Sequence, residues 1–442
     1  MPKQPKQPKQ PGPRGGGDSK LRVVFLHPDL GLGGAEKLIV EAATALKEKG
    51  HDVKIYTSHY DRKRCFEGTK DLDVHVAGDF LPRSLFGQFH IVFALLRAIW
   101  LSFYACLHSG AQVFVTDQIA VYNICLRMLC SQPIVFYCHF PDQLLTQRPS
   151  FFKYLYRLPF DYLEELGTGV ADSVLVNSEF TASVFRKTFR WLKNTRLEVV
   201  YPAIALPPLK SIQKRSRTGP STFVSINRYE RKKNIALVLH ALAAIRNLLA
   251  KKDDQHGAKL VIAGGYDARV KENVEVYNEL RTLAYDTYGF SEKQVTFMRS
   301  FSDSEKASLI STAAAVLYTP EGEHFGIVPI EAMAYQTPVI AINSGGPKET
   351  VEHKETGFLC STDATEWARY MMELMKDPSK PDTMGKKGRK RVERLFSAEA
   401  FQSKFHKAVT TTEYRSSSWG RIMIVLVVAA FGIVLALVLR SH

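Results

Sequence analysis

Glu323 and Glu331 stand eight positions apart on either side of Gly326, directly after the apolar, strand-like run 313–318. If Gly326 opens a helix, the unpaired N–H groups of the first turn and the positive end of the dipole face whatever lies above that strand. That suits a phosphate. Glu323 then sits in the loop beside the anion and Glu331 about two turns into the helix. Each carboxylate can hydrogen-bond sugar hydroxyls, one at either end of a nucleotide-sugar. Upstream, Arg228 and Lys233 offer two cations to a diphosphate, Arg in bidentate fashion and Lys as a point charge. The neighbouring Arg231, Lys232 and Arg246 would ordinarily mark a solvated face; placement opposite the two glutamates argues that at least Arg228 and Lys233 point inward.

Two further stretches could touch the same ligand. Gly31-Leu-Gly33-Gly34-Ala-Glu36 follows the first apolar run and opens the first helical pattern. Glycines there allow close backbone approach and leave helix N–H groups free. Glu36 occupies the place of the third glycine of a dinucleotide fingerprint, and no Walker A sequence is present. The loop reads equally as a tight turn or a phosphate cradle. His139 ends another apolar run, a position as often structural as functional. Asp142 and Arg148 follow it as candidate acceptor contacts, with a solvated loop as the alternative.

The elements that must position these residues alternate along the chain. Strand-like runs at 22–27, 52–57, 112–116, 133–137 and 173–176 are separated by helical patterns, the first of them over 34–49 with Gly50 as its cap. A Pro-, Ser- and Lys/Arg-rich break at 206–220 precedes a second series at 222–226, 259–263, 295–298, 315–318 and 338–341. Such alternation predicts an α/β chain with two parallel sheets and right-handed crossovers. The expected domains are an N-terminal Rossmann-like half over 21–205, a linker over 206–220 and a C-terminal half over 221–410. Ligands of such sheets bind beyond the carboxyl ends of the strands, so the cleft between the halves is the expected active site.

A net charge of +15 favours an anionic partner. No RNA-recognition, zinc-finger or basic-helix signature accompanies it, so nucleic acid is not expected. Residues 1–20 carry five basic residues against Asp18 in a Pro/Gly-rich stretch, which predicts a disordered tail rather than a signal peptide. The six cysteines show no metal or disulfide spacing and read as reduced core thiols. Residues 422–439 are continuously apolar or glycine and predict a transmembrane helix. The basic residues upstream of it put the large N-terminal part in the cytosol. Residues 90–107 are also strongly apolar but carry Arg97 at their centre. A core helix is the first reading, and an amphipathic helix resting on a bilayer with Arg97 snorkelling is the second.

Gly33-Gly34, His139, Arg228 with Lys233, and Glu323-x7-Glu331 together resemble the GT-B retaining glycosyltransferases of family 4, over about residues 21–410. More narrowly, the stretches 26–36, Tyr137-Cys-His-Phe-Pro-Asp142, 225–234 and His324-Phe-Gly-Ile-Val-Pro329 resemble the Alg2-type mannosyltransferases of the dolichol pathway. One departure from the wider family is Asn234, where glycine commonly follows the lysine.

The resemblance implies a GT-B fold, two Rossmann-like domains facing a cleft, and GDP-mannose as donor. It implies that Arg228 and Lys233 neutralise the departing diphosphate, helped by the N–H groups of Gly326 and Ile327. Glu331 would hold the ribose and Glu323 the mannose, Gly33 and Gly34 would let the acceptor half close on the pyrophosphate, and His139 would contact the sugar or phosphate side. Family members retain anomeric configuration, and no protein nucleophile is evident, so front-face transfer is expected. No Asp-x-Asp motif accompanies the site, and neither a catalytic metal nor a cofactor is expected. The implied acceptor is a dolichol-pyrophosphate-linked oligosaccharide, extended by α-1,3 and then α-1,6 mannose. The implied location is the endoplasmic reticulum membrane, catalytic domains on the cytosolic face, in contact with the membrane and with other transferases of the pathway. The rival readings are an α-1,2-mannosyltransferase and an inactive GT-B membrane scaffold.

Overall fold

The computed structural model describes residues 20–84, 89–216, 219–249 and 257–415. The tail before residue 20 and the apolar run 422–439 lie outside them.

The first sheet contains β1 (Arg22–His27), β2 (Asp52–Thr57), β3 (Asp73–Val76), β4 (Val113–Asp117), β5 (Ile134–Cys138), β6 (Ser173–Val176) and β7 (Leu197–Val199). All pair in parallel, in the order β3-β2-β1-β4-β5-β6-β7. Its connections carry α1 (Gly34–Glu48), α2 (His90–His108), α3 (Val121–Leu129), α4 (Phe151–Gly169) and α5 (Glu179–Thr188). The second sheet contains β8 (Ser221–Ile226), β9 (Ala258–Gly264), β10 (Val295–Arg299), β11 (Ala315–Tyr318), β12 (Val339–Ile342) and β13 (Gly357–Cys360), also parallel, in the order β10-β9-β8-β11-β12-β13. Around it run α6 (Ala236–Leu249), α7 (Lys271–Thr282), α8 (Asp303–Thr312), α9 (Ile327–Ala334), α10 (Pro347–Thr350), α11 (Ala364–Lys376), α12 (Lys380–Leu395) and α13 (Ala398–Thr411).

Strands covered on both faces need apolar side chains at successive positions. β1 meets that requirement: Val23, Val24, Phe25 and Leu26 are all fully buried. Leu38, Ile39, Ala42, Ala43 and Leu46 form the helical stripe by which α1 covers one face. Gly50, at φ 87°, ends that helix in the left-handed region that a glycine adopts without cost. Both sheets reverse their order once, between β1 and β4 in the first and between β8 and β11 in the second. A crevice opens at each reversal, beyond the carboxyl ends of the strands. Three strands escape the sequence pattern. β3 and β7 are short and only partly buried, and β13 starts at Gly357, where a Cβ would lie 2.0 Å from the Val339 carbonyl.

The C-terminal stretch packs across the boundary drawn from sequence. Phe401, Phe405, Ala408 and Val409 of α13 enter the core of the first domain beside Leu21, Val23 and Phe25. The chain therefore crosses between domains twice, and the crossings touch: the Ile204 N–H donates to the Phe396 carbonyl (3.1 Å).

The cysteine expectation is corrected. Cys106, near the end of α2, is disulfide-bonded to Cys130, just past α3, whereas Cys65, Cys125, Cys138 and Cys360 are free thiols. The packing of α2 against α3 creates that proximity, which no sequence spacing encodes. α2 packs one face into the core, as the first reading of 90–107 expects, and Arg97 does not snorkel. It is buried, donating to the Ser58 carbonyl (3.1 Å) and Asp79 (3.2 Å), while Ala98, Leu101 and Ala105 of the same helix line the core. Among the described residues, α2 is the one helix long and apolar enough to cross a membrane. Its outer side chains Ile99, Trp100, Phe103 and Leu107 are exposed, as are Phe151, Phe152 and Leu155 of α4.

Candidate active site

On the first-domain side, two strand ends at the reversal and the end of the adjacent β5 bring three side chains together. Asp117 closes β4, fully buried. Its Oδ1 lies 2.7 Å from Nδ1 of His27, the last residue of β1, and its Oδ2 lies 2.9 Å from Nε2 of His139, just past β5. Burial opposes the Asp117 charge, but the two imidazoles outweigh it and hold the carboxyl below its ordinary range. Burial likewise pushes His27 down, and Asp117 with Glu36 outweighs it, so the net direction is up.

Gly33 caps α1 without a side-chain hydrogen bond, leaving first-turn N–H groups unpaired. The Glu36 carboxylate stands where a Cβ on Gly33 would be, 2.1 Å from it, whereas nothing lies within 4 Å of that point on Gly34. An anion can approach at Gly34, and at Gly33 it must displace Glu36.

Across the cleft, Lys233 has an 11% exposed side chain and pairs with Glu323, while its carbonyl accepts from Thr319. The following turn explains Asn234. This residue sits at φ 48°, in the left-handed region, where asparagine is the usual substitute for glycine. Arg228 is 64% exposed and turned onto Glu230 at 2.8 Å, so it lies at the rim rather than inside.

Gly326 caps α9 at φ 78°, and its Cα faces Tyr318 and Pro347. Ile327 opens the helix, partly exposed. Glu331 is the fifth residue of α9, little more than one turn in rather than two, because the turn from Glu323 to Gly326 precedes the helix. Its Oε1 accepts from Lys306 of α8 at 2.6 Å, and its Oε2 is buried without a partner. Each carboxylate thus has its own lysine.

The candidate acceptor residues are anchored to α4 instead. Arg148 makes a bidentate pair with Asp161 (2.7 and 3.0 Å), and Asp142 pairs with Arg157 (3.0 Å). Asp142 keeps half its side chain exposed, while Arg148 staples the loop.

Sequence reasoning missed four parts of this cleft. Asp117 and His27 left a signal, as polar ends of otherwise apolar strands. Lys306 left another: a cation in the first turn of a helix opposes the dipole unless a partner awaits it. The loop 344–346 was not singled out. The Gly346 N–H donates to the Glu323 carbonyl (2.7 Å), and Ser344 accepts from the Gly322 N–H (3.2 Å).

The domains also touch directly. The Ser178 hydroxyl donates to the His324 carbonyl (2.6 Å), and the Glu349 carboxylate accepts the N–H groups of Glu179 and Phe180. A polar cleft with paired carboxylates and lysines beyond parallel strands can hold a phosphorylated sugar. Among the described residues, no three His, Cys, Asp or Glu side chains converge as metal ligands do.

Comparison with known proteins agrees. Residues 32–206 match the family described as Glycosyltransferase Family 4, and residues 209–391 match Glycosyl transferases group 1. The human alpha-1,3/1,6-mannosyltransferase ALG2 is 46% identical over 405 residues, 88% of this chain and 96% of that one. The Rhizomucor pusillus protein of the same name is 40% identical over 450 residues, 95% and 98% of the two chains. This chain belongs to the ALG2 family of alpha-1,3/1,6-mannosyltransferases. The fold of this ALG2-family member is GT-B. It superposes on sucrose-phosphate synthase from Thermosynechococcus elongatus with a TM-score of 0.67 at 22% identity, covering 88% of this chain and 98% of that one. A glycosyltransferase from Rickettsia africae gives a TM-score of 0.67 at 15% identity, covering 89% and 99%.

Proposed function

We propose that this chain transfers mannose from GDP-mannose to a dolichol-pyrophosphate-linked Man-GlcNAc2, forming an α-1,3 and then an α-1,6 linkage. The observation that carries this reading is the pair of lysine-held carboxylates, Glu323 with Lys233 and Glu331 with Lys306, beside the Phe140–His324 stack that joins the two domains. When donor enters, Lys233 exchanges its contact with Glu323 for the diphosphate, where charge develops as the bond to mannose breaks. Arg228, free to swing from the rim, adds the second cation. Gly326 and Ile327 offer backbone N–H groups to the same phosphate. Glu323 is then released to the mannose hydroxyls, and the unpartnered Oε2 of Glu331 accepts a ribose hydroxyl. Gly34 closes on the pyrophosphate from the opposite domain. The leaving phosphate takes the acceptor proton on the same face, which preserves configuration without a protein nucleophile or a metal.

The apolar outer faces of α2 and α4 support a membrane-bound setting for a polyprenyl acceptor, as does the apolar run 422–439, read as an anchor. That setting is the cytosolic face of the endoplasmic reticulum, beside other transferases of the pathway. Holding enzyme and acceptor on one surface raises their effective concentration.

The test uses purified full-length protein, GDP-mannose and a lipid-linked Man-GlcNAc2 acceptor, with product mass and linkage followed in EDTA. Two added mannoses, α-1,3 and α-1,6, both lost in Glu323→Ala, are expected. A single α-1,2 mannose would move the enzyme elsewhere in the pathway, and activity lost in EDTA and restored by a divalent ion would end the metal-free mechanism.

A further inference from the structure

We propose that Asp117, backed by His27, is a positioning residue that sets which nitrogen of His139 is offered to the substrate. The inference rests on reading His139 as a substrate contact. An ionised carboxylate only accepts hydrogen bonds, so each imidazole nitrogen facing it carries a proton. His139 is thereby fixed with its proton on Nε2, 2.9 Å from Asp117. Its Nδ1 has no protein partner among the described residues, and the ring is 23% exposed. In the neutral ring, Nδ1 is then the nitrogen whose lone pair is open to a hydroxyl of the sugar or the acceptor.

His27 explains why the arrangement has three members. Its side chain is fully buried, and its ring hydrogen-bonds the Asp117 carboxylate. Its Nε2 lies 4.0 Å from Glu36, beyond hydrogen-bond range. A lone buried carboxylate is costly, and one left with a single partner can rotate. The second imidazole compensates the charge and fixes the carboxylate plane, so its contribution reaches the cleft only through Asp117. The same logic operates where an outer carboxylate fixes the tautomer of a histidine that does chemistry or binds metal.

Full-length protein labelled with 15N-histidine in detergent tests this, with the His139 resonances assigned from His139→Gln. Where the ring is neutral, Nδ1 is expected to show the shift of an unprotonated nitrogen and Nε2 that of a protonated one. Kinetically, Asp117→Ala should lower kcat by about 10²-fold while leaving the donor KM within about threefold. Asp117→Ala combined with His139→Ala should lose no more than His139→Ala alone, since one residue acts through the other. A neutral ring with its proton on Nδ1, or losses that simply multiply, would overturn the inference. Full activity in His139→Ala would instead sink the reading of His139 as a substrate contact. If Asp117→Ala fails to fold, the spectrum of the unaltered protein still decides.

Discussion

Phe140 and His324 stack across the cleft, ring centroids 3.6 Å apart and planes within 8°, each next to a candidate site residue: His139 on one side and Glu323 on the other. The stack pins the two halves of the site at the distance they hold here. Burial, ahead of the opposing effect of Glu323, holds the His324 pKa below its ordinary value. A depressed histidine contributes stability that is complete above its unfolded value and lost as pH falls through the folded one. Phe140→Ala should lower kcat by about tenfold, the worth of one aromatic contact, with little change in donor KM. In the unaltered protein the closed state should weaken as pH drops below about 6.5. Fluorescence transfer between labels on the two domains, read against pH, measures it; closure that strengthens in acid would contradict the assignment.

Lys233 and Arg228 should behave differently although both are cations beside the same site. Lys233→Met takes away the lysine that pairs with Glu323 and, with it, the inner phosphate contact proposed above, and kcat/KM should fall by about 10²–10³-fold. Arg228 is exposed at the rim, so Arg228→Ala should weaken donor binding with an unchanged melting temperature. Steady-state kinetics beside thermal unfolding of both variants separates the two effects.

Lys306 holds Glu331 from α8, and in the donor placement proposed above it acts only through that carboxylate. Lys306→Met should raise the donor KM by about tenfold and leave kcat near its starting value, as expected when ground state and transition state lose the same contact. A fall in kcat alone would place Lys306 closer to the chemistry than its position on α8 allows.

Glu164 lies under the loop that carries Asp142. Burial, only partly offset by hydrogen bonds from the Asp142 and Gln143 N–H groups, pushes its carboxyl up to about 7. The folded protein then keeps a proton that the unfolded chain releases, so this group makes stability fall as pH rises from about 4.5 to 7. Glu164→Gln removes that slope. Relative to the unaltered protein it should gain about 1–3 kcal/mol between pH 4 and pH 8. Denaturant unfolding at the two pH values checks the sign.

Gly346 should not accept a side chain. A Cβ there would lie 2.2 Å from the Phe325 carbonyl, and the Gly346 N–H bonds the Glu323 carbonyl. Gly346→Ala must push the two loops apart, and with them the turn that caps α9. Loss of donor binding, measured by calorimetry, should exceed the loss of stability.

The sequence shows most clearly what periodicity and strand ends encode. The two parallel series follow from buried runs such as 23–27 and 315–318, and the Glu323–Glu331 spacing points to a strand–turn–helix junction. Contacts made through space were hidden. Cys106 and Cys130 meet because α2 packs on α3, and Lys306 reaches Glu331 from another helix. Arg228 and Lys233 look alike in sequence, yet a difference of five positions puts one at the rim and the other beneath Glu323. Asn234 looked like a departure and is an ordinary answer to a left-handed turn.

The paired crossings at Ile204 and Phe396 restrict how the cleft can open. A single connecting segment would act as a swivel, leaving the second domain free to rotate in any direction. Two segments side by side, joined by a backbone hydrogen bond, act like two pins of a door hinge and leave essentially one axis of swing. Because α13 then runs back over the first sheet, whatever follows Arg415 departs from the first domain. A tether there would hold that domain still and leave the second domain as the moving leaf.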